Sequence, residues 1–91
     1  MRSDIAGAAV RLTVYSRTGC HLCEDMEVAL SELQKELVFQ LQRIDVDSDP
    51  ALAAAYGTSV PVLKEGDIEI CHYFLDMQAL REHLANSPNQ L

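Results

Sequence analysis

Leu12-Thr13-Val14-Tyr15-Ser16-Arg17-Thr18-Gly19-Cys20-His21-Leu22-Cys23 is the stretch whose reading decides the fold. Residues 11 to 16 are rich in β-branched and aromatic side chains and predict a strand. From Cys20 onward, Leu22, Met26, Leu30, Leu33 and Leu37 recur at three- and four-residue steps. That spacing predicts one face of a helix running to about Glu36. Glu24, Asp25, Glu32, Gln34 and Lys35 fall largely off this face. A strand feeding directly into a helix places Cys20 and Cys23 on the first helical turn. Unpaired backbone N–H groups and the helix dipole there favour a thiolate over a thiol. Such an arrangement suits thiol–disulfide exchange. The acids Glu24, Asp25 and Glu27 oppose a nearby thiolate, so the dipole alone does not set the acidity of Cys20.

Working outward, residues 1 to 10 read as a loosely ordered lead-in. Val38 to Val46 read as a second strand with imperfect alternation. Asp49 and Pro50 follow as N-cap and first residue of a short helix ending at Tyr56, with Gly57 expected as a left-handed C-cap. Val60 to Lys64 predict a third strand and Ile68 to Ile70 a fourth, joined by the tight turn Glu65-Gly66-Asp67. Asp76 caps a last helix with Met77, Leu80 and Leu84 on one face, and residues 87 to 91 read as a frayed tail. The order is β-α-β-α-β-β-α. It predicts a single α/β domain over residues 1–91. Strands one and two are parallel through a right-handed crossover, and the last two form a hairpin, giving a four-stranded mixed sheet flanked by helices.

Composition narrows the function classes. A length of 91 residues suits one domain, and three cysteines are too few for a secreted disulfide scaffold. The apolar run Ile5 to Val10 is too short for a signal peptide or a membrane span, which points to a reducing cytoplasm. A net charge of −7 argues against nucleic acid and anionic membrane as partners. The acid excess otherwise reads as a means to solubility.

Each candidate site has a plainer reading beside it. Two cysteines three apart can be buried and inert, but a position at a helix start argues for exposure of Cys20 and for a disulfide with Cys23. Cys20, Cys23, Cys71 and one of His21 or His72 would make a four-ligand zinc set. Cys71-His72 lacks the spacing of a second metal knuckle, so no metal is expected. Pro61 is either an ordinary strand-opening proline or a cis residue that turns the backbone of Val60 toward the thiols, where an extended substrate would pair with it. Cys71 reads first as a core residue ending the fourth strand. Asp45 and Asp47 read as a solvated strand end feeding a helix cap rather than as paired catalytic acids.

Together, Val14-Tyr15-Ser16-Arg17-Thr18-Gly19-Cys20 with Cys23, Thr58-Ser59-Val60-Pro61 and Glu65-Gly66-Asp67 resemble the glutaredoxin-like branch of the thioredoxin superfamily, over roughly Arg11 to Leu84. The resemblance implies a thioredoxin-like fold, Cys20 as nucleophile, Cys23 as resolving thiol and a cis Pro61. It places Arg17 where glutaredoxins carry a basic residue that holds the glutathione carboxylate and favours the thiolate. Two departures stand out. His21-Leu22 replaces the usual Pro-Tyr between the cysteines, and a protonated His21 would stabilise a thiolate. Cys71-His72 stands where the family has a Gly-Gly pair that lets the backbone approach glutathione. Cys71 then reads as a third redox thiol or His72 as a proton acceptor, and Asp76 matches the family's glutathione-contacting acid only at an unusual offset. Val14 also occupies the place of the buried acid of thioredoxins, six residues before the first cysteine.

The expected function is therefore thiol–disulfide oxidoreduction by Cys20 and Cys23, with Arg17, His21, Val60 and Pro61 at the substrate. No bound cofactor is expected, and glutathione use is doubtful. The expected partner is a disulfide-bearing protein or a low-molecular-weight thiol, met by a monomer. The alternative is a non-catalytic binding module, a redox sensor or a metal-binding protein using the same cysteines.

Overall fold

The computed structural model describes residues 10–86. Its elements are β1 (Arg11–Ser16), α1 (His21–Leu33), β2 (Gln40–Asp45), a single 3-10 turn (Val46–Ser48), α2 (Pro50–Tyr56), β3 (Val62–Glu65), β4 (Ile68–His72) and α3 (Met77–Ala85). The strands form one sheet in the order β2-β1-β3-β4. β1 runs parallel to β2 and antiparallel to β3, and β3 and β4 form an antiparallel hairpin. This is the expected mixed four-stranded sheet. The hairpin turns at Gly66, whose φ of +58° lies in the left-handed region that glycine tolerates.

Alternation along β1 buries Leu12, Val14 and Ser16 on one face. Met26, Leu30 and Leu33 of α1 and Leu80 and Leu84 of α3 close over that face, with Val10, Phe39 and Leu63 completing the cluster. Val10 was read with the lead-in, yet it is fully buried, and its carbonyl accepts the N–H of Gln40. The other residues of the expected lead-in and tail lie outside the described ones. The opposite face carries α2, where Tyr56 stacks on Tyr15 with ring centroids 4.4 Å apart.

Several boundaries differ from the sequence reading. β2 spans Gln40–Asp45 rather than Val38 to Val46, because Val46 already opens the 3-10 turn, and β3 spans Val62–Glu65 rather than Val60 to Lys64. α1 ends at Leu33, and Lys35 to Leu37 continue as turns bonded to Glu32 and Leu33. β4 runs on to His72, so Cys71 and His72 lie inside a strand, with Cys71 opposite Leu63 and His72 opposite Val62. Gly57 closes α2 with φ −56° and is not left-handed. A side chain there would meet the Ala53 carbonyl at 2.5 Å and the Arg17 guanidinium at 3.0 Å, so the position needs a glycine for space rather than for backbone conformation.

Candidate functional site

The β1–β2 register ends at Ser16 with Asp45, and the β1–β3 register reaches Tyr15 with Val62. The cis-bonded Pro61 therefore enters the sheet level with Ser16, at the end from which the chain leaves for Cys20. Tyr73 extends the same row, because its N–H donates to the Pro61 carbonyl at 2.9 Å. The carboxyl ends of the parallel strands, where open α/β sheets bind ligands, thus collect Asp45, Ser16, Pro61 and Tyr73 beneath the start of α1.

Gly19 makes the turn into that helix with φ +82°. Cys20 is the N-cap, in extended conformation, and its Sγ accepts the N–H of Cys23 at 3.1 Å. A sulfur thus fills the place that Ser, Thr, Asp or Asn usually takes at a helix start. Cys20 and Cys23 are joined by a disulfide, with Cα atoms 5.2 Å apart. Cys20 is half-buried and Cys23 fully buried. His21 points into solvent, with its side chain 97% exposed and Nδ1 4.0 Å from Glu24.

Arg17 is not a free cation. Its Nε and Nη2 each donate to the Asp47 carboxylate at 3.0 Å, and its Nη1 donates to the Gly57 carbonyl at 3.2 Å. The bond to Asp47 raises the Arg17 pKa above its ordinary value, with the negative charge of Asp47 acting in the same sense. Asp47 is in turn placed by Asp45, whose Oδ1 accepts the Asp47 N–H at 2.8 Å. The two acids are a cap and a clamp. Asp47 is a residue of this site that sequence reasoning assigned to a solvated strand end. Its partner lies thirty residues away, and no local pattern signals a pair of that separation.

At the other flank, Tyr73 has φ +64°, a backbone position that favours glycine, and its hydroxyl donates to the Thr58 carbonyl at 3.0 Å. It spans from Pro61 to Thr58, along the segment holding Val60. Tyr73, Phe74 and Leu75 face Leu22, Met26 and Ala29 across a cleft of about 310 Å³. Leu22 brings this cleft to the dithiol. Phe74 is 68% exposed.

The structure groups Cys71 and His72 differently. Cys71 is a free, half-buried thiol packed against the main core, in a separate hollow beside Asp76 and Met77. Burial pushes its pKa up, against a smaller opposing effect of the Asp76 N–H. His72 bonds Glu69 at 2.7 Å. Asp76 caps α3 by accepting the Ala79 N–H at 2.9 Å. Among the described residues no group of His, Cys, Asp and Glu is placed to hold a metal ion, and no helix is long and apolar enough to cross a membrane.

Comparison with known proteins shows the family and the fold. Residues 11–85 match the model of the family described as Glutaredoxin-like domain (DUF836). An uncharacterized protein of Mycobacterium tuberculosis is 32% identical over 82 residues, covering 85% of this chain and 84% of the relative. The solution structure of protein Ne2328 from Nitrosomonas europaea is similar with a TM-score of 0.73 and 44% identity, over 80% of this chain and 88% of that one. Thioredoxin 1 of Thermosipho africanus, at 16% identity and a TM-score of 0.58 over 84% of this chain and 96% of its own, shares the fold. The chain belongs to the glutaredoxin-like domain family and has the thioredoxin-like fold.

Proposed function

We propose that this protein is a thiol–disulfide oxidoreductase. The observation that carries the reading is the Cys20 sulfur at the α1 N-cap, accepting the Cys23 N–H and within bridging distance of Cys23. A backbone donor aimed at Sγ stabilises a thiolate more than a thiol. The Cys20 thiolate attacks a substrate disulfide, forming a mixed disulfide and releasing one substrate thiolate. The Cys23 sulfur then attacks Cys20, releasing the second and leaving the pair oxidised. The backbone of Val60, ahead of Pro61, holds the substrate as an added strand.

The preferred substrate is a disulfide in an extended protein segment rather than one in glutathione. Two features support this choice. The Arg17 guanidinium is directed to Asp47 and Gly57, and Cys71 and His72, both paired in β4, carry side chains where a Gly-Gly pair would let a backbone approach. The cleft at Leu22 and Phe74, apolar but for Asp25 and the Tyr73 hydroxyl, suits a hydrophobic side chain of such a segment. The protein acts as a monomer in a reducing cytoplasm, without bound cofactor.

Redox titration with mass-mapped cysteines tests the proposal. A Cys20–Cys23 disulfide is expected to form and break reversibly at a potential within the range of about −270 to −120 mV found in this superfamily. Cys20→Ser is expected to abolish reduction of a model disulfide, while Cys23→Ser traps the mixed disulfide. A pair that never bridges at any poise would sink the reading. Partner binding that survives both substitutions would instead mark a binding module.

A further inference from the structure

Resolution of the mixed disulfide sets a problem that the dithiol alone does not solve. Cys23 is completely buried, and its thiol must lose a proton before its sulfur can attack Cys20. Val14, in the core, offers no base. The same strand carries a polar group on the same face. Ser16, two residues on and on the same face, is the one buried polar residue among those described. Its hydroxyl donates to the carboxylate of Glu27 on α1.

Glu27 stands four residues after Cys23, hence one turn further along the same side of the helix, where side chains are neighbours. Arg43 Nε on β2 donates to the same carboxylate oxygen at 3.2 Å. The carboxylate is thus held against the sheet by one hydroxyl and one cation, with its side chain 29% exposed. The groups bonded to it are Ser16 from β1 and Arg43 from β2, and the four-residue spacing sets Cys23 on the adjoining turn of its own helix. Asp45, further along β2, is occupied by Thr18 and by the Asp47 N–H. A carboxylate fixed one turn from a buried thiol, and open to water on its outer side, is placed to take a proton inward and pass it outward.

We propose that Glu27 accepts the proton of Cys23 during resolution, with Ser16 and Arg43 as positioning residues. This rests on the dithiol reading above. The Cys23 thiol gives its proton to the Glu27 carboxylate as its sulfur bonds to Cys20 Sγ. The bond between Cys20 and the substrate sulfur breaks, and its electron pair leaves on the substrate thiolate, which is protonated by solvent. Glu27 then returns its proton to water. The cysteine pair loses two electrons and the substrate disulfide gains them, so no further oxidant is needed.

The test is a single-turnover reaction of the fully reduced Cys71→Ser protein with dithionitrobenzoate, an aromatic disulfide that releases one coloured thiolate per step. The first release reports attack by Cys20 and the second reports resolution by Cys23. Glu27→Gln keeps the shape and an acceptor for Ser16 but cannot take a proton. It is expected to slow the second release on the order of 10²-fold, as loss of a general base does, with little change in the first. The second release should also change its pH dependence. Nearly flat around neutrality with Glu27, it should climb about tenfold per pH unit in the variant, following the thiolate fraction. Equal slowing of both releases, or of neither, overturns the role of Glu27 and leaves the dithiol reading intact. A protein that gives the first release but never the second fails the dithiol reading and this inference together. Should Glu27→Gln not fold by circular dichroism, Ser16→Ala replaces it, with a severalfold slowing confined to the second release expected and an unchanged second release overturning the proposal.

Discussion

Arg17 divides its guanidinium between the Asp47 carboxylate and the Gly57 carbonyl, and the charge that leads toward Cys20 is largely compensated as a result. Removing that compensation should be visible in substrate choice. Asp47→Asn keeps the size of the side chain and removes its charge, leaving Arg17 uncompensated near the dithiol. The variant is expected to react severalfold faster with glutathione disulfide, an anionic substrate. Its rate with a neutral disulfide should stay within roughly twofold, since only the charged substrate is drawn by the field. Parallel rate measurements on the two substrates check this, and equal changes in both would rule out an electrostatic role. The cysteine pair was legible in the sequence because helix periodicity and local spacing announce it. Arg17–Asp47 and Ser16–Glu27 were not, because each joins residues from separate elements through tertiary packing. Glu27 in particular reads as one more acid near the start of an acidic helix until β1 is seen to bury Ser16 beneath it.

At the scale of elements, the strands and helices followed from periodicity and caps, and their ends did not. Asp49 and Asp76 cap α2 and α3 as their sequence positions imply, accepting the N–H groups of Ala51 and Ala79 at 2.9 Å. β4 exceeds its alternating stretch because Cys71 and His72 still find partners on β3, and pairing rather than pattern decides where a strand stops. Gly57 shows the converse. A glycine after a short helix suggests a left-handed cap, whereas here the missing side chain leaves room for the Ala53 carbonyl and for Arg17 from the loop after β1. Gly57→Ala is accordingly expected to destabilise the fold by about 1–3 kcal/mol, the usual cost of forcing an atom into a filled site. Urea denaturation of the variant measures it. A stabilised variant would mean that the backbone-entropy gain of replacing glycine prevails over the clash.

For the whole molecule, the two faces of the sheet are unequal. α1 and α3 share one continuous cluster of buried side chains, while the short α2 covers the other face mainly through Tyr56 on Tyr15 and a bond between Lys64 Nζ and the Tyr56 hydroxyl at 2.8 Å. That bond is the leading cause of a raised Lys64 pKa. Stability should therefore be concentrated on the first face. Leu63, on central β3 and fully buried, is expected to cost about 2–5 kcal/mol when replaced by alanine. Tyr56→Ala, on the thinner face, is expected to cost less, and the midpoints of the two unfolding curves would expose the reverse order if it held. The architecture as a whole was readable because every local signal pointed to the same topology. The asymmetry was not, since it depends on which helices share a face.

Three helices begin under a side-chain cap, two of them with an aspartate oxygen and α1 with the sulfur of Cys20. The aspartate oxygens take no part in the proposed cycle, but this sulfur changes with every turn of it: thiolate, mixed disulfide, internal disulfide. Each state is a hydrogen-bond acceptor of different strength for the same N–H group. The Cys23 amide is thereby a spectroscopic gauge built into the backbone. Its chemical shift and exchange rate register the chemical state of Cys20, and the fraying of α1 varies in step with the electrons the protein carries.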